Sequence, residues 1–406
     1  MFQRIFLLFC FYSFFSFSHA QDSRNDAVFI HVIDSLIAKG QYATAFEKLD
    51  KQDPVNKNNG LVIKKCELAM NYYLSSMKYH AFSFVNLRAD ETIEELRSYS
   101  HTNVQKMIPF TIDSVLLSAI EQEPENYCLH KTLGDFYYKV FLDFGDRWYL
   151  PSEELLEKSK QYFLMAYKHR VYDYYSLYAL GYYHTLFENY HEAQQWFLLS
   201  IKENPNEPLT AYNLAVSYLF DGLFKEGIQY AQQAYVQYND SLKKGDAARI
   251  TGILLFNNQE FDEALKYFTE ANALSPDYRP NQLYLLRSLL NRNMDGQAYK
   301  LALEVLLPSL HDPDIPDEYV ELFQQQQKQE LLTTIFKDVL KKYPKDYEAK
   351  GNIRFHYGKL LYKEGHSGKA FRMFKKSRKD FEMVFPADHP VFQSLDQMIQ
   401  QLSDHK

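Results

Sequence analysis

The stretch that decides the fold runs from Tyr175 to Pro205: YSLYALGYYHTLFENYHEAQQWFLLSIKENP. Leu180-Gly181 sits in a first helical block, Tyr190 at a turn, Ala193 and Phe197 in a second block, and Pro205 at its end. Each residue type has a mechanical task. Gly181 and Ala193 are small where two helices cross, since larger side chains would hold the backbones apart. Phe197 is expected to fill the space between successive units, and Pro205 stops the second helix. The register then repeats. The next unit has Leu214-Ala215, Phe224, Gly227, Ala231 and Ala234. A third follows after a longer connection, with Thr251-Gly252, Phe261, Ala264, Phe268, Ala271 and Pro276. A fourth, weaker unit has Leu285-Leu286, Ala298, Ala302 and Val305.

These positions resemble the tetratricopeptide-repeat (TPR) family. The resemblance implies an all-α fold, a right-handed α-solenoid of helix-turn-helix repeats whose first helices line a concave groove. Working outward, Leu133-Gly134 and Tyr137 look like an earlier first helix, with a second helix (Phe163, Ala166) displaced by an insertion near FLDFGDRWYLPSEE. Ile112 to Pro124 reads as the second helix of the unit before. Toward the C-terminus, Tyr357-Gly358, Ala370, Phe374 and the FPADHP loop with Asp388, His389 and Pro390 resemble the kinesin-light-chain type of TPR. Asp317 to Pro344 has helical periodicity without small crossing residues. The expected organisation is therefore a signal peptide over 1–20, a divergent helical region over 21–105, a TPR array over 106–310 and a TPR-like helical region over 311–406. The link LPSLHDPDIPDEY (Leu307 to Tyr319), with Pro308, Pro313 and Pro316, is the expected boundary. Its Asp312, Asp314, Asp317 and Glu318 lack the glycine and ligand spacing of a calcium loop, so a solvated linker is the expectation.

The opening MFQRIFLLFCFYSFFSFSHA has a positive n-region at Arg4, an apolar stretch from Ile5 to Phe17, and small residues at Ser18 and Ala20. Cleavage after Ala20 and an extracytoplasmic location (periplasm, cell surface or secreted) follow as expectations. Cys10 is preceded by bulky Phe9, which argues against a lipidated cysteine. No later segment has transmembrane length. Cys66 and Cys128 lie in separate helical segments, and two unpaired thiols are expected.

Bulk composition agrees with long helices. Among 406 residues, Gly and Pro number only 14 each, which disfavours a turn-rich β fold. Apolar residues make up 46% and mean hydropathy is -0.43, so a sizeable core coexists with a polar surface. The 33 Tyr and 31 Phe are explained first by packing between stacked helices. A net charge of -7 without a sustained basic stripe argues against nucleic acid. The cluster Lys369 to Lys379 reads as a solvated helix face. Enzyme signatures fail at named positions. His191-Glu192 begins a zinc-protease pattern, but Gln195 stands where a second His must bind metal. Gly365 and Gly368 are too close for a phosphate loop, and Ala370 follows Lys369. No metal site, cofactor or catalytic residue is therefore assigned.

What remains is binding. Groove-facing positions implied by the resemblance are Tyr175, Tyr178 and Tyr182, then Leu209, Tyr212 and Val216, then Asp246, Arg249 and Ile253, then Arg287. Seven of them make the candidate ligand-binding set: Tyr175, Tyr178, Tyr182, Tyr212, Val216, Arg249 and Arg287. Tyr offers large contact area at low entropic cost, which suits a protein or peptide partner. Tyr178, Tyr182 and Tyr212 are expected to be accessible, with Leu180, Leu214 and Phe197 buried beneath them. A carboxylate-clamp partner is disfavoured: Asn213 fits one clamp position, but Asp246 and Ile250 stand where a basic pair is needed. The leading expectation is an exported non-catalytic scaffold or adaptor. The alternative is an envelope enzyme or polymer-processing protein with its site in the divergent N-terminal region or the insertion near Trp148. Titratable groups clustered in an N-terminal cleft would favour the alternative.

Overall fold

The computed structural model describes residues 26–99 and 106–403, which are predominantly helical. The expected signal segment lies outside the described residues. The chain divides into two compact units, Met1–Pro205 and Asn206–Lys406.

The N-terminal unit opens with α1 over 26–38, α2 (Tyr42–Gln52) and α3 (Asn59–Asn71). Asn58 caps α3 by accepting the Gly60 and Leu61 backbone N–H groups, two donors that a helix start leaves without partners. A departure from the all-helical expectation follows. Ser75–Ser76 (β1), Ala81–Ser83 (β2) and Ile108–Pro109 (β3) form a small antiparallel sheet in that order, with α4 (Ile93–Tyr99) between β2 and β3. At the β1–β2 turn Tyr79 is fully buried. Its ring meets Phe82, Phe136, Phe144 and Trp148 edge-on, and its hydroxyl donates to Asp143.

Three helical hairpin elements and a final pair complete this unit: α5 (Ile112–Gln122), α6 (Tyr127–Phe144), α7 (Ser152–Lys168), α8 (Tyr174–Leu186) and α9 (Tyr190–Glu203). The insertion is absorbed by a long α6 and α7 joined through a 3-10 turn over Gly145–Arg147. A capping box between Asp173 and Ser176 starts α8.

The C-terminal unit is a run of hairpins. α10 (Pro208–Phe220) pairs with α11 (Phe224–Gln237), and α12 (Ser241–Asn257) with α13 (Phe261–Leu274). α14 (Arg279–Asn291) precedes α15 (Asp295–Leu306), and α16 (Asp314–Gln325) precedes α17 (Gln329–Lys342). α18 (Tyr347–Lys363) and α19 (Ser367–Phe381) form the last hairpin, closed by α20 (Pro390–Ser403). The proline-rich link is not a boundary between compact units. It passes through a 3-10 turn over Leu307–Ser309 and launches α16, with Pro316 in the first turn, where no intrahelical N–H is required. Tyr319, buried, anchors this start by donating its hydroxyl to the Ala302 carbonyl at 3.1 Å. Of the link's acidic residues, Glu318 pairs with Arg279 and Asp317 with Lys359, which accounts for both without a cation.

The hairpins are closed by one recurring device. A Cβ built on Gly181 would lie 2.6 Å from the Phe197 ring, on Gly252 2.6 Å from Phe268, and on Gly358 2.7 Å from Phe374. Gly134 and Phe163 repeat this at 2.7 Å across the insertion. The Phe197 ring thus seats on its own hairpin. Phe268 does the same and also stacks on Tyr284 of the next hairpin at 5.4 Å. Where the lock is missing, Ala215 and Ala231 are both small and fully buried.

Asp317 ties α16 to α18. His356 Nδ1 donates to it at 3.2 Å and Lys359 Nζ at 2.6 Å, while His356 Nε2 is buried without a partner among the described residues. Burial holds the His356 pKa below its ordinary value despite Asp317; hydrogen bonding to His356 and Lys359 holds Asp317 well below the carboxylate range. Both groups therefore protonate first in the unfolded chain as pH falls. The stability linked to His356 is whole above about pH 6.5 and lost below it; that linked to Asp317 is lost below about pH 4. Acidification from pH 7.5 to 5 should speed backbone hydrogen exchange in α16 and α18 more than in α12 and α13. Equal protection changes in the two pairs would contradict this linkage.

Candidate functional site

Within each unit the first helices of successive hairpins lie side by side: α6 against α8, and then α10 against α12, α12 against α14, α14 against α16. The candidate binding residues fall on these faces, Tyr175, Tyr178 and Tyr182 in the N-terminal unit and Tyr212, Val216, Arg249 and Arg287 in the C-terminal unit.

In the C-terminal unit a groove runs between α14 and α16, with a volume of about 290 Å³. Pro280, Leu283, Tyr284 and Leu322 give it an apolar floor. Two polar clasps cross it. Arg279 Nη2 reaches Glu318 at 2.7 Å, and Arg287 Nη2 donates to Gln325 Oε1 at 3.0 Å. Eight residues separate the two arginines, about 12 Å along a helix. Arg287 makes no ion pair among the described residues, so its charge is available to a ligand. Tyr284 is held against Phe268 and presents a fixed ring.

Tyr212, Val216 and Arg249 lie on the neighbouring faces of α10 and α12. Arg249 is engaged already, 3.0 Å from Asp246 and over the Tyr278 ring at 5.8 Å. Burial raises the Tyr212 pKa, partly offset by the adjacent Arg249 guanidinium. Tyr212 and Val216 are half-buried.

In the N-terminal unit one accessibility expectation fails. Tyr178 is 8% exposed, its ring 6.1 Å from Tyr182 and 5.6 Å from Phe197. Tyr138 of α6 crowds the same face, meeting Tyr175 at 5.6 Å and Tyr182 at 6.4 Å. Tyr178 is therefore a packing residue, while Tyr175 and Tyr182 are half-buried. Leu180, Leu214 and Phe197 are buried as expected.

Tyr175 also lines a cleft of about 610 Å³ between α3, α6 and α8. There Lys131 Nζ bridges Asp135 at 2.9 Å and Asp173 at 2.7 Å. Burial works against the Lys131 charge, but the two carboxylates raise its pKa overall. Burial lifts Asp135 to about 6 in spite of Lys131, whereas Asp173 is held low by Lys131 and the Ser176 backbone N–H although burial opposes it. Sequence reasoning missed this triad. Lys131 and Asp135 are a visible i,i+4 pair, but Asp173 belongs to another hairpin. Leu283, Tyr284 and Leu322 were missed too, because only the placement of α16 makes them a groove. Among the described residues no group of three or more His, Cys, Asp or Glu is placed to hold a metal ion, and no helix is long and apolar enough to cross a membrane. Cys66 is buried, Cys128 is exposed, and both are free thiols.

No family model and no curated protein matches the chain. Solved structures of similar helical repeats do. A tetratricopeptide repeat protein from Parabacteroides merdae matches at 13% identity and a TM-score of 0.42, over 67% of this chain and 99% of its own. PilF of Pseudomonas aeruginosa matches at 15% identity and a TM-score of 0.44, over 65% and 97%. YrrB, described as a TPR protein with an unusual peptide-binding site, matches at 14% and 0.39, over 58% and 95%. Within each unit the chain is built of successive helical hairpins with small residues at the crossings, joined in the N-terminal unit by a small three-stranded sheet.

Proposed function

We propose that this chain is an exported, non-catalytic scaffold that holds a protein or peptide partner on the first-helix faces of its repeats, chiefly in the α14–α16 groove. One observation carries the reading: an apolar floor bracketed by two polar clasps, with Arg287 uncommitted to any carboxylate among the described residues. An apolar side chain of an extended segment would seat on Leu283, Tyr284 and Leu322, while Arg287 would donate to a carbonyl or carboxylate oxygen. The enzyme alternative draws on the N-terminal cleft, whose titratable groups are the sign that was to favour it. There Lys131 is occupied by two carboxylates, which suits binding better than proton transfer.

The test is affinity capture with the mature chain from its native envelope fraction. Tyr284→Ala and Arg287→Ala should each weaken the captured complex by about 2 kcal/mol or more, at least thirtyfold, with helical circular dichroism retained. Two folded variants that capture the partner undiminished would defeat the groove reading. Export rests on Arg4, the apolar stretch and Ser18-His19-Ala20. The mature protein should begin at Gln21 without lipid; Met1 retained on cytosolic material would refute it.

A further inference from the structure

The N-terminal cleft between α3, α6 and α8 has more carboxylate than cation on its open side. Glu67 and Asp173 leave 36% and 46% of their side chains exposed, against 19% for Lys131 and 27% for Lys139. Both ammonium groups are already taken. Lys131 serves Asp135 and Asp173, and Lys139 lies 3.3 Å from Asp143. Asp135 keeps one oxygen buried without any donor among the described residues, so its negative charge is under-compensated. Ile63 and Met70 supply apolar wall, and Tyr174 and Tyr175 supply aromatic rings. The volume lies within the range of small-ligand pockets.

We infer that this cleft binds an organic ammonium group, carried by a free amine or by a lysine side chain of a partner. The entering charge compensates Asp135 and Asp173 and adds to the Lys64 charge at the Glu67 rim, while its methylenes pack on Ile63 and Met70 and its head group on the tyrosine rings. Nothing in this depends on the α14–α16 groove, which shares no residue with the cleft.

The cleft's affinity should follow the ionisation of Asp135. Burial raises that carboxyl to about 6 against the pull of Lys131, and Asp173 and Glu67 push the same way. Other charges on packed elements already have partners, one of them Glu67 at the rim. Lys64 of α3 pairs with Asp34 and Glu67; Glu157 and Lys160 of α7 pair with each other; Asp113 of α5 accepts from Tyr149. A bound cation favours ionised Asp135, so binding should be strong above about pH 6 and weaken below it by up to about tenfold per unit.

Calorimetric titration of the mature chain with spermidine, and with a capped Ala-Lys-Ala peptide against its norleucine counterpart, tests this. Binding of at least one amine probe and none of the norleucine peptide is expected at pH 7.5, with affinity falling by about tenfold at pH 5. Spermidine alone would assign a free amine, the lysine peptide alone a partner's side chain; either supports the inference. Asp135→Asn should weaken binding at pH 7.5 and flatten the pH profile. Should that variant fail to fold, Glu67→Gln at the rim should still weaken binding about threefold. Absence of binding by both amines at millimolar concentration, equal binding of the norleucine peptide, or unchanged affinity in the folded variants would overturn it.

Discussion

Replacing Gly181 with leucine should cost the N-terminal unit about 3 kcal/mol or more, at the upper end of overpacking penalties. Its Cβ alone would sit 2.6 Å from the Phe197 ring, and that ring is fully buried and already meets Tyr178. It has nowhere to retreat. Ala264→Leu should behave similarly in α13, where no surface is exposed. In a repeat array the damage spreads mainly to adjoining elements, so hydrogen exchange should accelerate in α8 and α9 before α2 and α3. The decisive measurement is a double-mutant cycle. Phe197→Ala costs stability in the parent by opening a cavity, yet should recover part of the loss in the Gly181→Leu background by making room. Strict additivity, or an unchanged melting curve for Gly181→Leu, would show that the glycine and ring do not form a lock.

Tyr79→Ala is the second large effect, about 3–5 kcal/mol for truncating a fully buried aromatic. Lys78 and Tyr79 both adopt positive φ, 45° and 58°, a region that non-glycine residues rarely occupy. The turn holds because the ring is gripped by Phe82, Phe136, Phe144 and Trp148, and the hydroxyl by Asp143. Tyr79→Phe should lose less, about 1.5–3 kcal/mol, the worth of a hydrogen bond to a carboxylate. Lys78→Gly should be neutral or stabilising, because glycine accepts the left-handed conformation. Urea unfolding followed by Trp148 fluorescence in a Trp196→Phe background reports on this cluster directly. A Tyr79→Ala protein with an unshifted midpoint would mean that the sheet is not anchored there.

The repeat was legible because its signal is short-range and periodic. Gly181 with Phe197, Gly252 with Phe268 and Gly358 with Phe374 recur at one separation, and each pair meets in space. The small sheet was not legible, since strands such as Ser75–Ser76 are too short to establish alternation. The candidate positions were legible in part. Helical register put Arg287 on a first-helix face, but its clasp to Gln325 exists only once α16 is laid beside α14. Register also put Tyr178 on the first-helix face, yet burial depends on neighbours, and Tyr138 and Tyr182 crowd that face. The Lys131 triad joins helices that share no periodic relation, so a one-dimensional reading has no purchase on it.

The ring and glycine of each lock belong to the same hairpin, so the loop between the two helices is not needed to seat the lock. A Cβ on Gly365, at the tip of the locked α18–α19 hairpin, would meet nothing within 4 Å. The α6–α7 hairpin displays the result, since extra residues around Gly145 leave Phe163 seated on Gly134. Added chain at a tip incurs little beyond loop closure, about 0.6 kcal/mol per doubling of length. Tips of locked hairpins are thus the places where this architecture accepts grafts: a foreign epitope or an extra binding arm spliced at Gly365 would be carried as cargo by a core that need not be redesigned.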